Sequence, residues 1–220
     1  MTAFLIPRHA HPLEREYEAW IVHGIERYFA DLGLEFAIWA VSPDIEATWP
    51  ADEKLLFGSK IVGLQFKQAK IAKLASGAVD FTRLKWMLHS PPGQFELVKK
   101  TPEIFYCLPT FIDRTVRSNA LAHCLFWRPG TSDDKSVWYD NSAAHTEHKQ
   151  VRGAMRWGHF IEALLSCEIG AKASTPPEAR AHVARIYAGA REAFPRPQQA
   201  STPPPDVDTG LYVLVVKLPN

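Results

Sequence analysis

The hydrophobic pattern at the start of the chain predicts a helix followed by a strand. Over residues 13–32, apolar side chains recur at spacings of three and four, which is typical of a helix that buries one face. These side chains are Tyr17, Trp20, Ile21, Ile25, Tyr28, Phe29 and Leu32. The run LEFAIWAV over residues 34–41 is short and rich in β-forming residues, so it predicts a strand.

A β-hairpin is predicted next. Residues 52–57 and 61–67 are two β-type runs that flank a short glycine-containing turn. If the turn has two residues, Asp52 lies directly opposite Gln65, and opposed side chains have Cβ atoms about 4.5–5.5 Å apart. Lys67 shares a face with Gln65, because alternate residues of a strand point the same way. The hairpin therefore gathers Asp52, Gln65 and Lys67 on one polar face.

The remaining pattern predicts further helices and strands around one sheet. Residues 80–90 predict a second helix. The later predictions are strands over 104–109, 120–127 and 136–139, helices over 150–168 and 178–193, a proline-rich linker over 194–205 and a strand over 211–218. The terminal run is too apolar to be a free tail, so we expect it to return and pair in a sheet. We therefore expect one α/β domain over residues 1–220.

Composition narrows the classes of function. The chain has 220 residues, of which 46% are hydrophobic, and a formal net charge of +1. A polycation that binds by bulk charge is therefore excluded, and any contact with nucleic acid must come from a local basic patch. Three scattered cysteines do not form a disulfide framework, and no leader or long apolar run is visible. We expect a cytoplasmic protein with no membrane partner.

The polar face of the hairpin suits metal-assisted chemistry. Magnesium prefers oxygen ligands, and the Asp52 carboxylate and the Gln65 amide oxygen are both suitable. A lysine such as Lys67 beside the metal orients an attacking water and stabilises negative charge on a phosphate. Hydrolysis of a phosphodiester requires these groups.

These residues resemble the PD-(D/E)xK nuclease superfamily, which has the restriction-endonuclease-like fold. That core runs helix, three strands, helix, strand, with a metal-binding Asp at the start of the second strand and Glu/Gln-x-Lys on the third. Gln65-Phe66-Lys67 matches the Gln-x-Lys form, and Asp52 matches the metal ligand. The resemblance covers residues 13–110 and leaves residues 111–220 as a helical extension with a returning strand. It implies a Mg- or Mn-dependent nuclease that acts on DNA.

The sequence departs from the family pattern in its acidic residues. The Pro-Asp pair of the family motif occurs in this sequence at Pro43-Asp44, before the predicted hairpin. Asp44 therefore stays an alternative to Asp52. Gln65 replaces the commoner Glu, which removes one negative charge from the site. Such families often add a Glu from the first helix, and the candidates for this role are Glu14, Glu18 and, in the connecting loop, Glu46.

Basic residues follow the motif. Between residues 60 and 85 the only acidic residue is Asp80. A basic cluster beside a metal site suits a phosphate backbone, so we expect it to bind nucleic acid. The residues concerned are Lys70, Lys73, Arg83 and Lys85. The alternative function is a catalytically inactive nuclease-fold protein that binds nucleic acid or assembles, as a homo-oligomer or within a larger complex.

Overall fold

The computed structural model describes residues 12–42, 53–73, 79–112, 114–130, 136–140, 151, 153–194 and 209–218. Four α-helices lie in these ranges: α1 (Glu14–Asp31), α2 (Gln94–Lys100), α3 (Trp157–Leu165) and α4 (Pro176–Ala193). Two 3-10 segments span Glu53–Leu56 and Arg114–His123. None of the described helices is long and apolar enough to cross a lipid bilayer.

Ten strands complete the described part of the fold. They are β1 (Phe36–Ala40), β2 (Ser59–Phe66), β3 (Ala69–Lys73), β4 (Val79–Met87), β5 (Ile104–Pro109), β6 (Cys124–Trp127), β7 (Ser136–Asp140), β8 (Met155–Arg156), β9 (Ala171–Ala173) and β10 (Leu211–Lys217). The main sheet has the order β1-β10-β2-β5-β6-β8, and β9 also pairs with β2. Strands β3, β4 and β7 form a second sheet. The protein is thus a mixed α/β fold with one mostly central sheet, which confirms the predicted α/β class.

Strand β10 is a central strand although it lies near the C-terminus. It pairs antiparallel with β1 on one side and with β2 on the other. Leu211, Val213 and Val215 pack into a core with α2 and α4, whereas Leu214 and Val216 pack into a core with α1 and α3. Burial on both faces is typical of a strand covered by helices on each side of its sheet.

The N-terminus of α1 is tied to the rest of the fold by Glu16. Its carboxylate accepts a hydrogen bond of 2.8 Å from the Leu13 backbone N–H, and Arg114 donates to both of its oxygens, at 2.6 and 3.1 Å. These donors hold the pKa of Glu16 below its usual value, with the Arg114 hydrogen bond as the largest cause. The first turns of α1 are therefore fixed in position.

The predicted hairpin of residues 52–57 with 61–67 is wrong. Glu53–Leu56 is a 3-10 turn, and β2 pairs with β10, β5 and β9. A central strand needs apolar side chains on both faces, and β10 supplies them along most of its length. Gln65 consequently lies opposite Leu211 of β10.

The predicted helix over residues 80–90 is also wrong, because this segment forms most of β4. Leu84 and Trp86 are buried, whereas Lys85 between them is partly exposed, which is the period of two expected for a strand. Pairing with β3 and β7 stabilises the extended form. A short segment of mixed polarity fits both periods, and the neighbouring strands decide between them.

Most other predicted elements are present. The helices predicted over 13–32 and 178–193 correspond to α1 and α4, and the strands predicted over 34–41, 104–109, 136–139 and 211–218 correspond to β1, β5, β7 and β10. Two elements are shorter than predicted: the strand over 120–127 begins at Cys124, and the helix over 150–168 begins at Trp157. Most of the linker predicted over 194–205 lies outside the described residues.

The central position of β10 predicts a large loss of stability from Leu214→Ala. Leu214 is completely buried against α1 and α3, so the truncation removes apolar contacts and leaves a cavity. We expect the free energy of unfolding in urea to fall by about 2–5 kcal/mol. The matched control is Leu32→Ala, at a leucine that is 52% exposed, and it should change that energy by less than about 0.5 kcal/mol. Equal effects of the two changes would contradict a central β10.

Candidate functional site

Gln65 lies near the C-terminal end of β2 and is completely buried. Its amide nitrogen, Nε2, donates a hydrogen bond of 2.8 Å to the Thr209 carbonyl and a longer one, of 3.4 Å, to the Phe66 carbonyl. Its amide oxygen, Oε1, is buried and has no hydrogen-bond partner among the described residues. Buried polar atoms are almost always paired, so an unpaired buried acceptor indicates a missing donor or cation.

Gly210 leaves space where three polar groups converge. A Cβ atom built on Gly210 would lie 3.2 Å from Gln65 Nε2, 3.2 Å from Glu18 Oε1 and 3.3 Å from Glu14 Oε1. The backbone of Gly210 has φ +56°, a left-handed conformation that glycine adopts without strain. A side chain at this position would fill the space between the three groups.

The two glutamates come from the first two turns of α1. Glu18 is only 3% exposed, because it lies one turn before Ile21 on the buried stripe of the helix. Glu14 is half-buried one turn earlier, and its Oε2 accepts a hydrogen bond of 3.1 Å from the Gln68 backbone N–H. This bond joins α1 to the segment that follows β2.

Lys67 follows β2 and is 4% exposed. Its ammonium nitrogen, Nζ, donates a hydrogen bond of 2.5 Å to the Ser90 carbonyl. Burial lowers the pKa of Lys67, the carboxylates of Glu14 and Glu18 act in the opposite direction, and Lys70 lowers it further. Lys67 is therefore close enough to both glutamates to feel their charge.

The donor atoms of this cluster suit a hard divalent cation. The two carboxylates provide oxygen ligands, and magnesium and manganese both accept such ligands. The Gln65 atom that faces them is the amide nitrogen, which is a hydrogen-bond donor. The two carboxylate oxygens stand 3.2 and 3.3 Å from the position that a Cβ atom of residue 210 would take, so they come close to each other at this glycine. No group of three His, Cys, Asp or Glu side chains with the geometry of a metal site occurs in the described part of the chain.

The structure brings together four of the five predicted catalytic and metal-binding residues. The fifth, Asp52, is not among the described residues. Glu14, Glu18, Gln65 and Lys67 form the cluster described above. Asp52, its alternative Asp44, and Glu46, the loop candidate for the added glutamate, lie outside the described residues. The geometric reason for choosing Asp52 no longer holds, because the predicted hairpin is absent.

The predicted nucleic-acid-binding residues lie on two paired strands of the second sheet. Lys70 on β3 is exposed and lies directly opposite Lys85 on β4. Lys73 lies on β3 opposite Val79, and Arg83 lies on β4 opposite Asp140 of β7. The backbone thus places all four basic residues on adjacent strands.

Thr209 and Gly210 are the site residues that the sequence analysis missed. The Thr209 carbonyl holds the Gln65 amide, and Gly210 leaves the space for the two glutamates. Neither contribution depends on a reactive side chain, so no catalytic pattern marks them. The available signal was a glycine directly before the apolar run of β10, which indicates a special backbone conformation.

Comparison with known proteins gives no relative of this chain: no protein-family model, no curated protein and no solved structure matches it. The resemblance to the PD-(D/E)xK superfamily therefore rests on the Gln-x-Lys motif and its acidic neighbours. The function has to be argued from the geometry of these residues.

The charges around Lys67 predict opposite responses of its pKa to two neighbouring substitutions. Glu18→Gln removes a carboxylate that favours the charged ammonium, so the pKa of Lys67 should fall. Lys70→Gln removes a like charge, so the pKa should rise. The measurement is a titration of the lysine Cε resonance by NMR in protein labelled with ¹³C at lysine.

Lys60 provides the internal control for this titration. It lies at the other end of β2, donates to the Gly170 carbonyl at 3.0 Å, and has its pKa lowered mainly by burial. Its resonance should not respond to either substitution. Equal movement of the Lys60 and Lys67 resonances would show a general change in the fold and contradict the local interaction.

Proposed function

We propose that this protein is a divalent-metal-dependent nuclease that hydrolyses phosphodiester bonds, with DNA as the expected substrate. The observation that carries the proposal is the meeting of the Glu14 and Glu18 carboxylates at Gly210, near the buried Lys67, with the buried Gln65 Oε1 left without a hydrogen-bond partner among the described residues. Two carboxylates, an amide oxygen and a lysine are the groups that the resemblance implies for this chemistry.

The proposal includes a restriction-endonuclease-like core. Support comes from the parallel pairing of β2 with β5, whose connection contains β3, β4 and α2. A connection between parallel strands requires a crossover, and here it includes α2. The strand between β1 and β2 in the sheet is β10, so it comes from the far end of the chain and not from the predicted hairpin.

In the proposed mechanism, Glu14 and Glu18 would hold Mg²⁺ or Mn²⁺, with the Gln65 amide oxygen as the further ligand that the resemblance implies. When bound, such an ion polarises a phosphoryl oxygen and lowers the pKa of a water. Lys67 would donate hydrogen bonds to the phosphate oxygens on which charge accumulates and a proton to the leaving oxygen, while the attacking water would lose its proton to solvent. The Ser90 carbonyl orients the Lys67 ammonium, and the lowered pKa of this group favours proton donation.

The paired lysines of the second sheet support a polyanionic substrate. Lys70 and Lys85 lie directly opposite each other on β3 and β4. Like charges in opposed positions destabilise a sheet, and a bound phosphate backbone removes this repulsion. Lys70 also influences the pKa of Lys67, so the basic surface adjoins the candidate site.

A nuclease assay tests the proposal. We expect the purified protein to nick or cut plasmid DNA when Mg²⁺ or Mn²⁺ is present and to lose this activity in EDTA. Lys67→Ala and Glu18→Gln should each reduce the rate by about a hundredfold or more, because charge on the phosphate is then no longer stabilised. Glu26→Gln is the matched control, since Glu26 lies on the same helix and its side chain is 49% exposed.

Equal cleavage by wild type, Lys67→Ala and Glu18→Gln would overturn the assignment. The same assay identifies any further acidic residue of the site. Asp44→Asn and Asp52→Asn test the two residues expected from the resemblance, and Asp208→Asn tests the acidic residue that directly precedes Thr209 in the sequence. The variant with the largest loss of rate at unchanged stability marks the additional carboxylate.

The basic surface predicts a salt-dependent contribution to DNA affinity. Lys70→Gln and Lys85→Gln should each weaken binding and reduce the slope of log K against log salt by about 0.9, the value for one lost phosphate contact. Fluorescence anisotropy with a labelled duplex in Ca²⁺ or EDTA measures affinity without cleavage. Lys172→Gln is the control, because Lys172 is exposed on β9, which pairs with the opposite end of β2. An unchanged slope in the Lys70 and Lys85 variants would contradict this surface.

The second candidate function is a catalytically inactive nuclease-fold protein that binds nucleic acid or assembles with other subunits. The observation that favours it is the charge of the cluster, which contains two carboxylates and no third acidic group among the described residues. Binding of DNA without cleavage under all metal conditions would support this function over the first.

A further inference from the structure

Two free cysteines meet in the core beside the segment that carries Lys67. Cys107 lies on β5 and Cys124 on β6, and both side chains are completely buried. Their Sγ atoms are 3.0 Å apart, whereas the sulfurs of a disulfide are about 2.05 Å apart. The two thiols therefore need to approach each other by only about 1 Å to form that bond.

The strand register places these cysteines diagonally across two antiparallel strands. Cys107 is paired with Phe126, and Cys124 is paired with Pro109, two residues further along β5. Diagonal neighbours in a sheet have Cα atoms about 7–8 Å apart, and a disulfide usually joins Cα atoms about 4.4–6.8 Å apart. We therefore expect a disulfide here to draw the two backbones together.

The Cys107 carbonyl connects this pair to the candidate site. It accepts a hydrogen bond of 2.6 Å from the Tyr17 hydroxyl and one of 3.3 Å from the Lys67 backbone N–H. Tyr17 directly precedes Glu18 on α1, and its hydroxyl also lies 3.4 Å from the Cys124 sulfur. A movement of Cys107 thus reaches both Lys67 and the first turns of α1 through direct contacts.

We propose that Cys107 and Cys124 are a redox switch, which closes to a disulfide in the presence of a peroxide and reopens with a thiol reductant. Closure displaces Lys67 relative to Glu18, because both are tied to the Cys107 carbonyl, one by its own backbone and the other through Tyr17. The disulfide and the displacement do not depend on the proposed function. Only the expected effect on DNA cleavage rests on it.

The closing reaction with hydrogen peroxide is a two-electron oxidation of the thiols. The sulfur of one thiol attacks a peroxide oxygen, so that an S–O bond forms, the O–O bond breaks and the leaving hydroxide takes up the thiol proton as water. The second sulfur then attacks the resulting sulfenic acid, which forms the S–S bond, breaks the S–O bond and releases a second water. A dithiol reductant reverses the reaction by exchange and is itself oxidised to a disulfide.

Burial controls the expected rate of this reaction. It raises the pKa of Cys107, so little of this thiol is present as the reactive thiolate. Cys167 is exposed and should therefore react with peroxide first. The test accordingly uses the full chain with Cys167→Ser, which leaves Cys107 and Cys124 as its only thiols.

The first measurement counts thiols in this variant by reaction with DTNB in denaturant. Hydrogen peroxide should remove both thiols, dithiothreitol should restore them, and peptide mass spectrometry should find Cys107 joined to Cys124. The matched control adds Cys124→Ala, which removes one sulfur of the pair and should give no disulfide within the chain. If that control does not fold, Cys107→Ala replaces it.

The second measurement follows the lysine Cε resonances by NMR during oxidation and reduction. The Lys67 resonance should move on oxidation and return on reduction, whereas that of Lys60, at the other end of β2, should stay in place. Peroxide should move neither resonance in the control without Cys124. If the proposed function is correct, oxidation should also slow DNA cleavage by about tenfold or more, because small displacements of catalytic groups are costly.

Each outcome supports or overturns a stated part of the proposals. If peroxide leaves both thiols titratable, or oxidises them without joining them, the inference is overturned. If the disulfide forms and the Lys67 resonance does not move, the switch is overturned as a device that acts on the site. If the resonance moves reversibly but the reduced protein cleaves no DNA with any metal, the inference stands and the proposed nuclease function fails alone.

Discussion

The hydrogen bond from the Gln65 amide to the Thr209 carbonyl is the contact on which the candidate site depends. It joins the end of β2 to the start of β10, at the point where Gly210 leaves space for Glu14 and Glu18. The bond exists because β10 lies between β1 and β2, and that position is stabilised by apolar burial on both faces of β10. The hydrophobic effect thus fixes the register that aligns the polar groups.

Gly210 also explains how groups from different layers reach one another. Gln65 alternates with Val62, Leu64 and Phe66, which pack towards α1, so its side chain belongs to the opposite face of the sheet. Glu18 approaches from the α1 side. Without a Cβ at Gly210, the two side chains come within 3.2 Å of the same point. A Cβ atom there would force these side chains to move by a few tenths of an ångström.

Local patterns in the sequence were sufficient for most of the helices and strands and for most of the cluster. The period of α1 identified Glu14 and Glu18 as residues near the buried stripe, and alternation in β2 separated Gln65 and Lys67 from the apolar face. The strand partners were not predictable in the same way, because β2 pairs with a strand about 150 residues later in the chain. A local hairpin was the simpler expectation, and the two-sided apolar character of β10 was the sign against it.

The charges of the site link cation binding to the proton affinity of Lys67. In the ion-free protein, the carboxylates of Glu14 and Glu18 partly offset the effect of burial on the Lys67 pKa. Under the proposed function, a divalent cation bound there would neutralise these carboxylates and add positive charge near the ammonium, so it would lower the pKa of Lys67 further. Lys67 would then be a stronger proton donor with the ion than without it. The same two glutamates would therefore hold the metal and make the acidity of the neighbouring lysine depend on it.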